Sequence, residues 1–149
     1  IIRRIQIHIE TWDRTALEEQ EATFGRKRSS GAPLTGKKEF DELDLKAKDS
    51  RGEYVIPEDA HARLAREAKT SIKRRAYNYT AGTNEKTGNL ETGLLFISFQ
   101  KSPQQFIDIQ NHLGHKDKLN EYITHRGTAT FIVLPGVQKG GYLGETLFN

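Results

Sequence analysis

Apolar and polar positions change period several times along this chain, and each change marks an element. In Ile5-Gln6-Ile7-His8-Ile9-Glu10 the two kinds alternate strictly, which puts the isoleucines on one face of a first strand. Asp13 then stands where a helix cap is expected. Ala16, Leu17 and Phe24 follow at roughly helical spacing with Gln20 between them, and Gly25 serves as the stop. From Arg26 to Pro57 the chain is rich in Gly, Lys, Ser and Asp with little periodicity. A stretch that long inside a compact domain is usually functional, and it reads as a binding loop.

After Pro57, strong helix formers with acids at their start predict a short helix over Glu58 to Ala68, with His61 in its first turns. A second strand is expected over Ile72 to Tyr79 and a third over Leu94 to Phe99, with Gly82 to Asn89 as the hairpin connection. Ser102-Pro103-Gln104-Gln105 supplies an N-cap, a first-turn proline and a capping-box partner for a helix whose Phe106, Ile109 and Leu113 share one face. A further helical piece is expected over Asp117 to Thr124. The last strand is expected over Thr128 to Leu134, stopped by Pro135-Gly136, and a terminal helix over Tyr142 to Phe148. The order strand, helix, strand, strand, helix, strand predicts an α+β domain of the ferredoxin-like βαββαβ kind. The long loop and the His61 helix are inserted between helix 1 and strand 2. That fold hosts many activities and decides none.

A length of 149 residues suits one domain covering 1–149. There is no Met, and Ile1 already leads into the first alternation, so further chain is expected upstream. With no Cys, disulfides, iron–sulfur clusters, thiolate-bound iron and Cys-type zinc sites are excluded. No apolar run approaches the roughly 20 residues of a membrane-spanning helix. The net charge of +3 is small, but basic residues bunch at Arg26-Lys27-Arg28 and Lys73-Arg74-Arg75, which favours an anionic partner or simply makes a solvated face.

Five histidines are the neutral nitrogen donors available to a metal. His8 alternates outward on its strand, His112 and His115 stand three apart near a helix end, and His125 follows a helix; none is assigned a ligand role. His61 differs because Ala60 and Ala62 leave room for a flat ring and a helix presents its imidazole rigidly. One axial histidine on a porphyrin iron leaves the opposite position open for peroxide. From the local sequence alone, a core or capping histidine is the favoured reading. Arg74, at the start of strand 2, carries a guanidinium of the kind that stabilises charge developing on a cleaved peroxide, and Arg26 would suit a propionate. Each also reads as a solvated base.

Seven segments together change that balance: Thr11-Trp12-Asp13-Arg14-Thr15, Thr23-Phe24-Gly25-Arg26, Ser30-Gly31-Ala32-Pro33-Leu34, Asp59-Ala60-His61-Ala62-Arg63-Leu64-Ala65, Arg74-Arg75-Ala76-Tyr77-Asn78-Tyr79, Gly93-Leu94-Leu95-Phe96 and Leu134-Pro135-Gly136. In this order and spacing the chain resembles, nearly end to end, the C-terminal half of DyP-type (dye-decolourising) haem peroxidases of the deferrochelatase kind. The resemblance implies haem b as cofactor, His61 as proximal iron ligand, Arg74 as the distal arginine, and Arg26 as a haem contact. Arg66, just after the ligand, is implied more loosely as another. A carboxylate on the ligand's other ring nitrogen would raise its basicity, and Glu121 is the candidate.

The resemblance also implies hydrogen peroxide and a bulky reductant as substrates, or release of iron from haem. It further implies that this domain is one half of a dimeric α+β barrel, that a missing N-terminal half closes the haem pocket, and that export follows the twin-arginine route; a homo-oligomer is left open. The family's distal Asp belongs to a Gly-x-x-Asp-Gly motif of that other half, and no such motif occurs here. The alternative is a ferredoxin-like interaction module that binds no haem. Nucleic-acid binding through the basic clusters ranks last, because no RNP-like motif is present.

Overall fold

The structure is a computed structural model in which residues 1–147 are described. It contains β1 (Ile2–Ile7), α1 (Ile9–Arg14), α2 (Leu17–Phe24), α3 (His61–Glu67), β2 (Lys73–Thr83), β3 (Leu90–Phe99), α4 (Pro103–Leu113) and β4 (Ile123–Ala129), with short 3-10 turns at Lys118–Glu121 and Glu145–Leu147. The strands form one sheet in the order β2-β3-β1-β4, with every neighbouring pair antiparallel. This is the α+β, ferredoxin-like arrangement expected, with the loop and α3 inserted ahead of β2. No described helix is long and apolar enough to cross a membrane.

Several boundaries differ from expectation, each for a local reason. One helix after Asp13 is replaced by two, because the buried Gln20 side chain donates to the carbonyls of Trp12 and Thr15 and so satisfies the end of α1 before α2 begins. Asp13 lies inside α1, and Ala16 occupies the cap of α2 without a side-chain bond. The helix expected over Asp117 to Thr124 is a single 3-10 turn, after which the chain enters β4. The last strand runs over Ile123–Ala129 and not Thr128 to Leu134: the Tyr122 carbonyl accepts the His8 amide directly after the 3-10 turn, which sets the register that pairs Ile7↔Ile123 through Ile2↔Ala129. Phe131, Ile132 and Val133 lie outside the described strands and are exposed. The terminal helix is reduced to the Glu145–Leu147 turn, and Phe148 lies outside the described residues.

The sheet has two unlike faces. On one, Ala76, Phe96 and Arg3 lie side by side across three strands, beside the Arg74–Ser98 pair. Over β1 and β3 this face is covered by α4, whose Phe106 packs on Phe96 at 6.0 Å and lies under the Arg3 guanidinium at 4.8 Å. The other face carries Arg75, Tyr77, Ile97 and Phe99, and no helix covers it. Every residue of β2 except Tyr79 is exposed, so this strand is open on both faces.

The buried core sits instead around α3, where Ala32 and Ile56 of the loop meet Ala60 and Leu64. The loop is held by side-chain-to-backbone bonds rather than by strands. Asp41 accepts from the Lys37 and Lys38 amides, which hold its carboxyl below the usual range, and Lys27 donates to the Gly36 carbonyl. Arg63, buried on α3, anchors it most firmly. Its guanidinium donates to the carbonyls of Ile56 (3.1 and 2.8 Å) and Leu45 (2.7 Å) and stacks at 4.6 Å on Tyr54.

At Gly93, opposite Gln6, an added Cβ would lie 2.0 Å from the Ile5 carbonyl oxygen, a backbone atom held in the sheet. Gly93→Ala is therefore expected to cost about 3 kcal/mol in urea unfolding, as overpacking against fixed atoms does. Arg63→Met should cost about 3 kcal/mol by stranding the buried Ile56 carbonyl and the part-buried Leu45 carbonyl, and should open the 45–56 segment to limited proteolysis; an unchanged cleavage pattern would contradict its role as the anchor.

Candidate functional site

His61 is the first residue of α3, and its position follows from how the chain enters that helix. Pro57 and the extended Ala60 end the loop, and Ala60 is fully buried. Gly25, in the left-handed conformation that ends α2 (φ 73°), is pressed against this entry: a Cβ there would meet Ile56 Cγ2 at 2.9 Å and Ala60 Cβ at 3.3 Å. Ala62 Cβ would lie 3.7 Å away, so Gly25 nests against both alanines that flank His61. Phe24 packs edge-on to the imidazole at 6.3 Å, and Trp12 packs on Phe24 at 5.5 Å and on Tyr122 at 4.9 Å.

The imidazole Nδ1 lies 2.7 Å from Asp117 Oδ2. Asp117 is buried, while the His61 side chain is 27% exposed, so the ring has one anchored edge and one open edge. A carboxylate at that distance takes the Nδ1 proton as its hydrogen bond, which leaves Nε2 with a free lone pair. Among the described residues Nε2 has no hydrogen-bond partner. Asp117 is itself fixed: it caps the 3-10 turn, its Oδ1 accepting from the Leu119 amide at 3.0 Å, and Oδ2 is left for the histidine.

This corrects the expected carboxylate. Glu121 stands at the far end of the same turn, exposed, and makes no side-chain bond among the described residues. The reason is the tight 3-10 turn, which points its cap residue inward and its last residue outward. An aspartate followed two residues later by an apolar residue, at the start of a helical stretch, was the signal available in the sequence.

Arg74 lies on the sheet face that α4 covers, and α3 packs on α4, which puts Arg74 and His61 on the same side of the sheet. Its side chain is exposed and has no hydrogen bond or ion pair among the described residues. Arg26 follows Gly25 and so emerges beside the His61 helix. Its Nη1 donates to the carbonyls of Gly31 (2.7 Å) and Glu39 (2.9 Å), which shapes the loop and leaves Nε and Nη2 uncommitted. Arg66 is exposed on the last turn of α3, and the structure gives its side chain no partner among the described residues.

The remaining histidines are placed otherwise. His8 Nε2 is bonded to Thr124 Oγ1, His112 faces Glu67 at 3.7 Å, and His125 lies on β4, where desolvation and then Arg3 hold its pKa below the usual value. Among the described residues no three His, Asp or Glu side chains gather as a multidentate metal site. A single histidine with an anionic partner on Nδ1, and no partner on Nε2 among the described residues, is a donor that suits haem, whose other four ligands are its own.

The family described as Dyp-type peroxidase, C-terminal, matches residues 1–138. The chain is 38% identical to a dye-decolorizing peroxidase of Thermobifida fusca, covering 100% of this chain and 35% of that protein. It is 42% identical to a deferrochelatase of Yersinia pestis, again covering 100% of this chain and 35% of the relative. Among solved structures, a DyP-type peroxidase from Streptomyces coelicolor superposes with a TM-score of 0.91 at 35% identity, covering 98% of this chain and 41% of that one. Ferric DtpA from Streptomyces lividans gives 0.83 at 33% identity, with coverage of 98% and 41%. The chain thus spans about a third of the length of the curated relatives it matches. The family match over residues 1–138 and the superposition over almost all of the chain make it a member of the DyP-type peroxidase family, corresponding to its C-terminal part.

Proposed function

We propose that this chain is the haem-holding domain, over residues 1–149, of a peroxide-dependent oxidoreductase, with haem b on His61 Nε2. The observation that carries this reading is the His61–Asp117 pair. A buried carboxylate fixes the ring's tautomer and direction and leaves one nitrogen free, as an axial ligand requires. When bound, haem supplies the iron centre at which peroxide is reduced.

The chain's own residues do the rest of what this half contributes. His61 holds the group from one side. Asp117 draws on the Nδ1 proton and so raises the electron donation of Nε2. Arg74, from the sheet, directs a permanently charged donor toward negative charge developing on the outer peroxide oxygen, a contribution of about 2 to 4 kcal/mol. Arg26 and, more weakly, Arg66 offer guanidinium edges to the propionates.

The proton-moving Asp belongs to the remainder of the longer protein. That remainder also covers the open sheet face of Arg75, Tyr77, Ile97 and Phe99, where Tyr77 is 58% and Phe99 44% exposed. The reductant is a bulky electron donor, copies of the whole protein associate, and family resemblance favours export by the twin-arginine route. A second reading, iron release from haem, rests on the name of the deferrochelatase relatives and uses the same ligand.

Hemin titration of the full-length protein tests the assignment. The parent should give a sharp, stoichiometric Soret shift that His61→Ala abolishes, whereas equal spectra for both would refute the coordination. Arg74→Ala should keep hemin and lose about 100-fold in peroxide-dependent dye oxidation; an undiminished rate would remove Arg74 from the chemistry.

A further inference from the structure

The turn that carries Asp117 is held to α4 by the Asp117 amide on the Leu113 carbonyl and to α1 by Tyr122 on Trp12, and the next residue, Lys118, ties it to both α2 and the entry of α3. The Lys118 amide donates to the Asp59 carbonyl at 3.1 Å, joining the turn to the entry of α3 two residues before His61. The Lys118 ammonium pairs with the Glu19 carboxylate on α2. That hydrogen bond, more than the further charges of Asp59 and Glu121, holds the ammonium above its usual pKa. Helix α2 in turn ends in Phe24 and Gly25, which pack on His61 and on the alanines beside it. The three segments thus close a ring around the imidazole: α2 on α3, α3 on the turn through His61–Asp117 and Asp59–Lys118, and the turn on α2 through Lys118–Glu19.

Both members of the ion pair are partly exposed, at 30% and 39%. Such a pair adds little to global stability. Its consequence is geometric, because it is the side-chain link between α2 and the turn, and it acts one residue from the carboxylate whose direction matters.

We propose that Glu19 and Lys118 are positioning residues that set the strength of the Asp117–His61 hydrogen bond, and through it the electron donation from His61 to a bound iron. This rests on His61 being the axial ligand. Loosening the turn lets Asp117 Oδ2 drift from Nδ1, and a weaker bond there makes the imidazole a poorer donor. A poorer donor stabilises ferric iron less, so the reduction potential rises.

The test uses the haem-loaded full-length protein and reads the ferric/ferrous midpoint potential together with the ferrous iron–imidazole stretching frequency. Asp117→Asn should raise the potential and lower the frequency. Glu19→Gln and Lys118→Met should each shift both readouts in the same direction by a smaller amount. Their double variant should shift no further than the larger single, and the exchanged pair Glu19→Lys/Lys118→Glu should return toward the parent. Single variants that coincide with the parent while Asp117→Asn shifts would overturn the positioning role alone. An Asp117→Asn protein that also coincides with the parent would overturn the coordination reading beneath it. Thermal melts of the single variants close to the parent's are expected, since the pair is exposed.

Discussion

One hydrogen bond organises this domain: the 2.7 Å contact between Nδ1 of His61 and the buried carboxylate of Asp117. It spans 56 positions of sequence and joins the inserted helix to the connection between α4 and β4. A buried aspartate needs a charged or strongly polar partner, and a half-open histidine needs something to fix its ring. Each residue meets the other's requirement, and the result is a partly exposed imidazole held at Nδ1, with no partner on Nε2 among the described residues. The surrounding packing serves that end. Gly25 permits α2 to press on both alanines beside the ring, Phe24 braces its face, and Arg63 pins the long loop behind it.

The sheet is built on the opposite logic. Its edge strand β2 is exposed along nearly its whole length, and an exposed apolar run of three residues follows β4. A strand so rich in aromatic and basic residues, left open on both faces, is a surface shaped for neighbours. On the helix side the neighbour proposed is a flat cofactor under Arg74, and on the other side it is the rest of a protein about three times as long. The share of the relatives that this chain spans, about a third, agrees with such a division.

Much of this was legible in the residues. Strict alternation marked β1, and Ser102 to Gln105 marked the start of α4, because both signals are local and are satisfied within a few residues. Gly25 as a helix stop was equally local. The break between α1 and α2 was not, since it depends on Gln20 reaching back to two carbonyls. The bounds of β4 were hidden because an apolar run such as Phe131 to Val133 says "strand", while the register set by the Tyr122–His8 bond pairs Ile123 to Ala129 with β1. Within the site, His61 could be singled out by motif and flanking alanines, but its carboxylate could not. Asp117 and Glu121 differ only in which end of a 3-10 turn they occupy, and Arg63 reads as one more helix-surface base until its carbonyl partners are known.

The central claim is that the free nitrogen of His61 takes the axial site of an iron while Asp117 keeps the other. A crystal structure of the full-length protein loaded with hemin measures this directly. The account predicts iron bonded to Nε2 of His61, at a normal iron–imidazole distance, with Oδ2 of Asp117 still within hydrogen-bond reach of Nδ1 and Arg74 on the opposite side of the ring plane. Iron held by any other histidine, or a porphyrin seated away from α3 with Nε2 left free, would contradict it.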